Sequence, residues 1–124
     1  MATVYLSGPE LQRPNGLLAT ADNLYVLDMG SSIFYRVGSA NELVKTAEGL
    51  AAGDGIVPVG KNDFLISNYN GEISYVTAAG QIKKLLDTKA EKQNAADIDY
   101  RAKENLVLVP TFFGNKVVAY ELKK

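Results

Sequence analysis

RPNGLLATADNLYVLDMGSSIFYRV, residues 13–37, is the first of three related stretches in the chain. Two strand-like runs, 24–27 and 33–37, flank a short turn that contains Gly30. The same order of run, glycine turn and run returns from residues 64 and 106, with turn glycines at Gly71 and Gly114. A repeat of about 40 residues built from short strands is typical of a propeller blade with four antiparallel strands.

Three repeat units, 15–47, 54–87 and 97–122, therefore divide a single domain. We predict strands at 17–20, 23–28, 33–37 and 42–46 in the first unit, at 56–59, 63–68, 72–77 and 81–86 in the second, and at 98–100, 105–109 and 116–122 in the third. The third unit lacks a fourth strand. A further strand-like run, Thr-Val-Tyr-Leu at 3–6, precedes the first unit.

Three blades are too few to close a ring, since propellers typically have four to eight. A second copy brings the count to six, and residues 3–6 of each copy would cover the open edge of the other's third blade. The sequence thus predicts an all-β propeller with three four-stranded blades per chain. It closes into a six-bladed ring as a homodimer with N-terminal strand exchange. The alternative is a fragment of a longer propeller that is only partly folded alone.

The composition excludes several classes of function. The 124 residues include no Cys and no His, which removes thiol nucleophiles, thiolate or imidazole zinc sites and His-based triads. The net charge of -1 gives no basic surface for nucleic acid. No apolar run approaches the roughly 20 residues of a membrane span, and the N-terminus does not resemble a secretory signal. We expect no organic cofactor and no nucleic-acid or membrane partner, and the compartment stays open.

Polar residues stand at corresponding places in the three units. Asn15, Asp54 and Asp97 precede the predicted innermost strands, whose starts lie on the same face as the ends of the second strands. Crowded carboxylates either raise a pKa or recruit a cation, and oxygen ligands suit Ca²⁺. The motifs Pro-Asn-Gly at 14–16 and Gly-Asp-Gly at 53–55 are also strong turn sequences by themselves. The other residues on this face are predicted to line a ligand pocket: Asp28, Asn68, Tyr69, Thr111, Phe112 and Phe113.

Residues 13–37, GDGIVPVGKNDFLISNYNGEISYV at 53–76 and NAADIDYRAKENLVLVPTFFGNKVVAYEL at 94–122 together resemble the SMP-30/gluconolactonase-like propellers, over the later half of a family member. The resemblance implies six blades, a divalent cation in the central channel and, in enzymatic members, hydrolysis of sugar lactones. Asn15 matches the family's metal-binding asparagine, and Asp54 matches an aspartate ligand that is also proposed as the general base. Asp97 stands at the equivalent place one blade later, and the family's glutamate ligand has no counterpart here.

We therefore favour a self-assembling half-propeller, engineered or derived from a fragment, with a divalent-cation site at the channel mouth. One alternative is a metal-dependent sugar-lactone hydrolase that is active as a dimer, with Asp54 activating water. The other is a propeller that binds a small-molecule ligand without chemistry.

Overall fold

The computed structural model describes residues 1–123, whose strands form three consecutive antiparallel sheets that we call blades 1, 2 and 3. Blade 1 contains β1 (Pro14–Ala19), β2 (Leu24–Asp28), β3 (Ile33–Val37) and β4 (Leu43–Glu48); blade 2 contains β5 (Gly53–Val59), β6 (Asp63–Asn68), β7 (Glu72–Val76) and β8 (Ile82–Asp87); blade 3 contains β9 (Asp99–Arg101), β10 (Leu106–Pro110) and β11 (Val117–Glu121). A single 3₁₀ turn, Phe112–Gly114, connects β10 and β11. The predictions of an all-β chain and of three repeat sheets are confirmed.

The innermost strands β1 and β5 each begin three residues earlier than predicted. Pro14 pairs with Asp28 and Gly16 pairs with Leu27, so Asn15 is an extra residue in β1. The motif that the sequence suggested as a turn is therefore a β-bulge inside a strand.

The Gly-Asp-Gly motif at 53–55 also forms a β-bulge. Gly53 pairs with Asn68 and Ile56 pairs with Ile66, so two residues of β5, Asp54 and Gly55, stand opposite one residue of β6. A bulge bends the strand and increases its local twist, which suits a strand close to the axis of a propeller.

The motif glycines allow the innermost strands of neighbouring blades to approach closely. A Cβ atom on Gly55 would lie 2.6 Å from the backbone nitrogen of Ile98, which leads into β9. A Cβ atom on Gly16 would collide with the backbone carbonyl oxygen of Asp54 in β5. Neither glycine has a positive φ, so close approach, and not turn conformation, explains the residue type.

Two apolar cores join the blades face to face. The core between blades 1 and 2 contains Leu27, Phe34, Ala47, Leu50, Ile56, Phe64, Ile66 and Val76. The core between blades 2 and 3 contains Val57, Val59, Leu65, Ile73, Ala95, Ile98, Val107 and Val109. Face-to-face packing of neighbouring sheets is the arrangement expected of propeller blades.

The other face of blade 1 has no sheet beside it in this chain. Val26 pairs with Leu17 and with Tyr35, so these three side chains share that face. Val26 and Tyr35 are nevertheless only 3% and 6% exposed, whereas Leu17 is 67% exposed. Residues 1–13 run alongside blade 1 and contact it at Asp28 and Asn41.

This N-terminal segment crosses blade 1 from one end to the other. Near the bulged end, the backbone amides of Gln12 and Arg13 donate to the Asp28 carboxylate at 3.1 and 2.8 Å. Near the opposite end, the Nδ2 group of Asn41 donates to the carbonyl oxygen of Tyr5 at 3.5 Å. The predicted strand at 3–6 is not formed in the single chain, because no strand lies beside it to complete the hydrogen-bond ladder.

Blade 3 has three strands, as the sequence predicted. Its last strand, β11, pairs with β10 on one side only, and Val117 is 69% exposed. Proteins normally cover or pair such an open edge.

The close approach of β5 and the entry to β9 leads to a test. We expect Gly55→Ala to lower the free energy of unfolding by about 1–3 kcal/mol, because the added methyl group meets backbone that has to move. Urea denaturation followed by circular dichroism measures the change. Unchanged or increased stability would contradict this packing.

Candidate functional site

Three polar residues lie at the bulged end of the innermost strands. Asn15 and Asp54 are within β1 and β5, and Asp97 comes two residues before β9. The contacts of the motif glycines place the residues side by side, since Gly16 adjoins the Asp54 backbone and Gly55 adjoins Asp97. The structure therefore brings together the three residues that the sequence predicted as ligands, although their role stays a prediction.

Asp54 has a perturbed carboxylate. Burial raises its pKa, and the negative charge of Asp97 raises it further. Asp54 is half-buried and Asp97 is exposed, so the pair repels across a partly dry surface. A proton or a bound cation would relieve this repulsion.

Asn15 is exposed, and its Nδ2 group donates to the carbonyl oxygen of Gly53 at 3.2 Å. This bond links blade 1 to blade 2 and fixes the amide with its Oδ1 atom as the remaining acceptor. Asn15 can therefore offer one oxygen to a ligand while it holds two blades together.

Ser67 connects the innermost strands beneath the carboxylates, a role that the sequence analysis missed. Its buried Oγ atom accepts from the backbone amide of Gly55 at 2.8 Å and donates to the carbonyl oxygen of Ala96 at 2.6 Å. Both bonds satisfy backbone groups next to Asp54 and Asp97. The available signal was a hydroxyl residue inside the apolar run FLIS opposite the second bulge.

Asp28 was predicted to line a ligand pocket, but the structure gives it a structural role. Its carboxylate is fully buried and accepts from the backbone amides of Gln12, Arg13 and Ser31. Burial alone raises the pKa of Asp28, but hydrogen bonds from Ser31, Arg13 and Gln12 outweigh burial and hold the pKa below its usual value. All of these donors belong to the loops that Asp28 holds together.

Thr111 is also buried and holds a loop. Its Oγ1 atom donates to the carbonyl oxygen of Lys116 at 3.0 Å and accepts from the Lys116 amide at 3.2 Å. Asn68 accepts from the Asn70 amide at 2.7 Å. These bonds form turns after the strands.

Tyr69, Phe112 and Phe113 form an aromatic wall on the same side of the molecule. The ring centroids of Tyr69 and Phe112 are 5.5 Å apart, and those of Phe112 and Phe113 are 4.7 Å apart, both edge to face. Both phenylalanines are exposed, and Phe112 has a φ of 56°, a costly conformation for a bulky side chain. The Tyr69 carbonyl oxygen accepts from the Asn94 side chain and the Ala95 amide, which places the wall beside the loop that leads to Asp97.

A further concavity lies elsewhere. A cavity of about 600 Å³ occupies the side of blade 1 away from the bulges, where Tyr5 faces the β1–β2 and β3–β4 turns and Arg36.

Among residues 1–123, no group of three or more His, Cys, Asp or Glu side chains is positioned to hold a metal ion. The described part of the chain contains no helix that is both long and apolar enough to cross a membrane.

Comparison of the structure with solved proteins gives β-propeller neighbours. A streptogramin B lyase has a TM-score of 0.71 at 12% identity over 96% of this chain. Selenomethionine virginiamycin B lyase from Staphylococcus aureus has a TM-score of 0.65 at 13% identity over 96% of this chain. A catalytically inactive histidine-to-alanine variant of that enzyme, with quinupristin, has a TM-score of 0.62 at 13% identity over 90% of this chain.

The chain spans 43%, 44% and 42% of the lengths of these three neighbours, in the same order. At this level of identity the likeness establishes the β-propeller fold. No protein-family model and no curated protein sequence matches the chain.

The perturbed carboxylate gives a pH-dependent prediction. Because the pKa of Asp54 is raised in the folded state, its ionisation destabilises the fold as the pH rises through that pKa. We expect Asp54→Asn to be more stable than the parent chain at pH 7 in the presence of a chelator. The difference should disappear below the ordinary value of about 3.8, where the parent carboxyl is protonated in both states.

Thermal unfolding between pH 3 and pH 8 measures the difference, with Asp22→Asn at an exposed turn as the matched control. A loss of stability in Asp54→Asn at pH 7 would show that the charge is stabilising and contradict the prediction.

Proposed function

We propose that this chain is a self-assembling half of a six-bladed β-propeller, which closes its ring by associating with a second copy. The observation that carries the proposal is the pair of unpartnered blade faces at the two ends of the three-blade unit. The neighbours support it as well, because a propeller fold more than twice as long aligns with this chain over 42–44% of its own length.

Both unpartnered faces carry apolar side chains, and the face of blade 3 also carries Asp99, the cross-strand partner of Leu108. On blade 1, Leu17 extends from the innermost strand into solvent. On blade 3, Leu108 shares a face with its cross-strand partner Ala119, and Val117 lies on the same face. The opposite faces of both blades are packed in the cores, so association would give these free faces the same kind of neighbour.

A two-fold axis would place the first blade of each copy against the third blade of the other. Each of the two open faces is thereby covered once, and the ring closes with six blades, within the range that propellers adopt. The mouth would then carry two sets of Asn15, Asp54 and Asp97.

Light scattering tests this assembly. We expect a solution mass of about twice the 13.4 kDa of one chain. Leu17→Asp should reduce the mass to that of one chain, because a charge would be buried between blades. Ala79→Asp, at an exposed turn, is the matched control and should leave the mass unchanged. A parent chain with the mass of a monomer would contradict the proposal.

A divalent-cation site at the mouth is the second element of the proposal, and the repulsion between Asp54 and Asp97 favours it. The donors are two carboxylates and the free Oδ1 atom of Asn15, all oxygen ligands that suit Ca²⁺. When bound, the cation would neutralise the paired carboxylates and, in a lactonase, polarise a lactone carbonyl. Asp54 would be the residue that holds a proton at its carboxylate for such a reaction.

The neighbours bear on the chemistry as well. The lyase variant described above is inactive after loss of a histidine, and this chain of 124 residues contains none. We therefore carry no lyase activity over to this chain. Sugar-lactone hydrolysis rests on the resemblance noted from the sequence, and ligand binding without chemistry rests on the aromatic wall.

Calcium titration tests the cation site. We expect Ca²⁺ to raise the unfolding temperature, with about 2.7 kcal/mol of stabilisation at a hundred times the dissociation constant. Asp54→Asn should abolish the response, and Asp22→Asn should retain it. No response in the parent chain, or an equal response in Asp54→Asn, would contradict the site. Calcium-dependent turnover of a simple sugar lactone that Asp54→Asn abolishes would support the hydrolase.

A further inference from the structure

The N-terminal segment occupies the position of an outermost strand before any partner is present. Between blades 1 and 2, the outermost strand β4 lies against the β7–β8 turn, where Gly80 adjoins the carbonyl oxygen of Thr46. The corresponding turn of blade 1 contains Asn41, which contacts Tyr5 instead. Tyr5 therefore contacts the β3–β4 turn of blade 1 in the way that Thr46 of β4 contacts the β7–β8 turn of blade 2. This is the contact expected of the fourth strand of a blade that precedes blade 1.

The direction of the segment is also that of a fourth strand. β4 starts beside the β3–β4 turn and leads to the bulged end of the next innermost strand. The segment likewise starts beside Asn41 and reaches the bulged end at Gln12 and Arg13, where Asp28 binds both backbone amides. Asp28 thus anchors the segment in the orientation that an antiparallel blade requires.

At the other end of the chain, a groove of about 400 Å³ lies where the fourth strand of blade 3 is missing. Val59, Tyr75, Leu85 and Leu122 provide its apolar walls, between blade 2 and the end of β11. Leu85, in β8, lines this groove and is 40% exposed. The open edge of β11 offers backbone hydrogen-bond partners to an added strand, and the groove offers apolar contacts to one of its side chains.

We infer that residues 3–6 of one copy form the fourth strand of blade 3 of the other copy, pairing with β11 and seating Val4 in this groove. The inference rests on the proposed ring closure and specifies how the closure is made. Adding a strand to an open sheet edge supplies main-chain hydrogen bonds, and pockets for alternate side chains give specificity.

Alternation along the strand determines which side chain enters the groove. Tyr5 lines the cavity against its own blade 1, so in a strand its neighbours point to the opposite face. Val4 is 82% exposed in the single chain and would become buried against Leu85 of the second copy. The same segment would contact blade 1 of its own copy through Tyr5.

Disulfide trapping between separately labelled chains tests the arrangement. The parent chain has no Cys, so single Val4→Cys and Leu85→Cys variants each carry one thiol. Both positions are solvent-exposed in the single chain, and the substitutions are small. After the two variants are mixed and oxidised, we expect a covalent heterodimer at least five times more abundant than from Tyr5→Cys mixed with Leu85→Cys. Light scattering of each variant is recorded in parallel.

Each result has one meaning. A dimer that cross-links through position 4 supports strand exchange. A dimer that does not cross-link, or that cross-links equally through position 5, overturns the exchange and leaves ring closure standing. A monomer overturns both proposals.

Discussion

The close approach of the innermost strands is the constraint on which the rest of the structure depends. Gly16 and Gly55 lack the side chains that would hold neighbouring strands apart. Ser67 connects β5 to the residues that lead into β9. Blades can then pack face to face, with the two apolar cores filled from both sides. The same approach brings Asp54 and Asp97 together, so the geometry that packs the innermost strands also creates the repulsion that raises the pKa of Asp54.

Asp28 fixes the position of the N-terminal segment. A fully buried carboxylate is costly unless donors surround it, and here three backbone amides from two loops converge on it. The bonds hold residues 12 and 13 at the start of β1 and thereby direct the preceding segment along blade 1. One charged residue links the central strands to the segment that we propose as the closing strand.

The sequence predicted the middle strands of blades 1 and 2 well because their signals are local. The strands at 33–37 and 63–68 were predicted to the residue, since alternating apolar and β-branched residues end at clear turns. The starts of β1 and β5 were wrong because Asn-Gly and Asp-Gly favour turns in isolation, whereas neighbouring strands hold them as bulges. That choice depends on contacts between blades, which no local pattern contains.

The placement of the polar residues was predicted in part for the same reason, and their role as a site stays a prediction. The repeat predicted that Asn15, Asp54 and Asp97 lie at the same end of the blades, because topology alone brings corresponding positions together. It could not separate Asp28 and Thr111, which satisfy buried backbone groups, from residues that face a ligand, since both kinds lie at strand ends. Ser67 was missed because a single hydroxyl in an apolar run gives no indication of its two partners across the blades.

A crystal structure of the 124-residue chain would distinguish ring closure from an isolated chain. Our account predicts six blades around a two-fold axis, with Gly16 and Gly55 at the contacts between innermost strands and residues 3–6 of each copy paired with β11 of the other. An isolated three-bladed chain, with β11 unpaired and residues 3–6 free of any sheet, would contradict it.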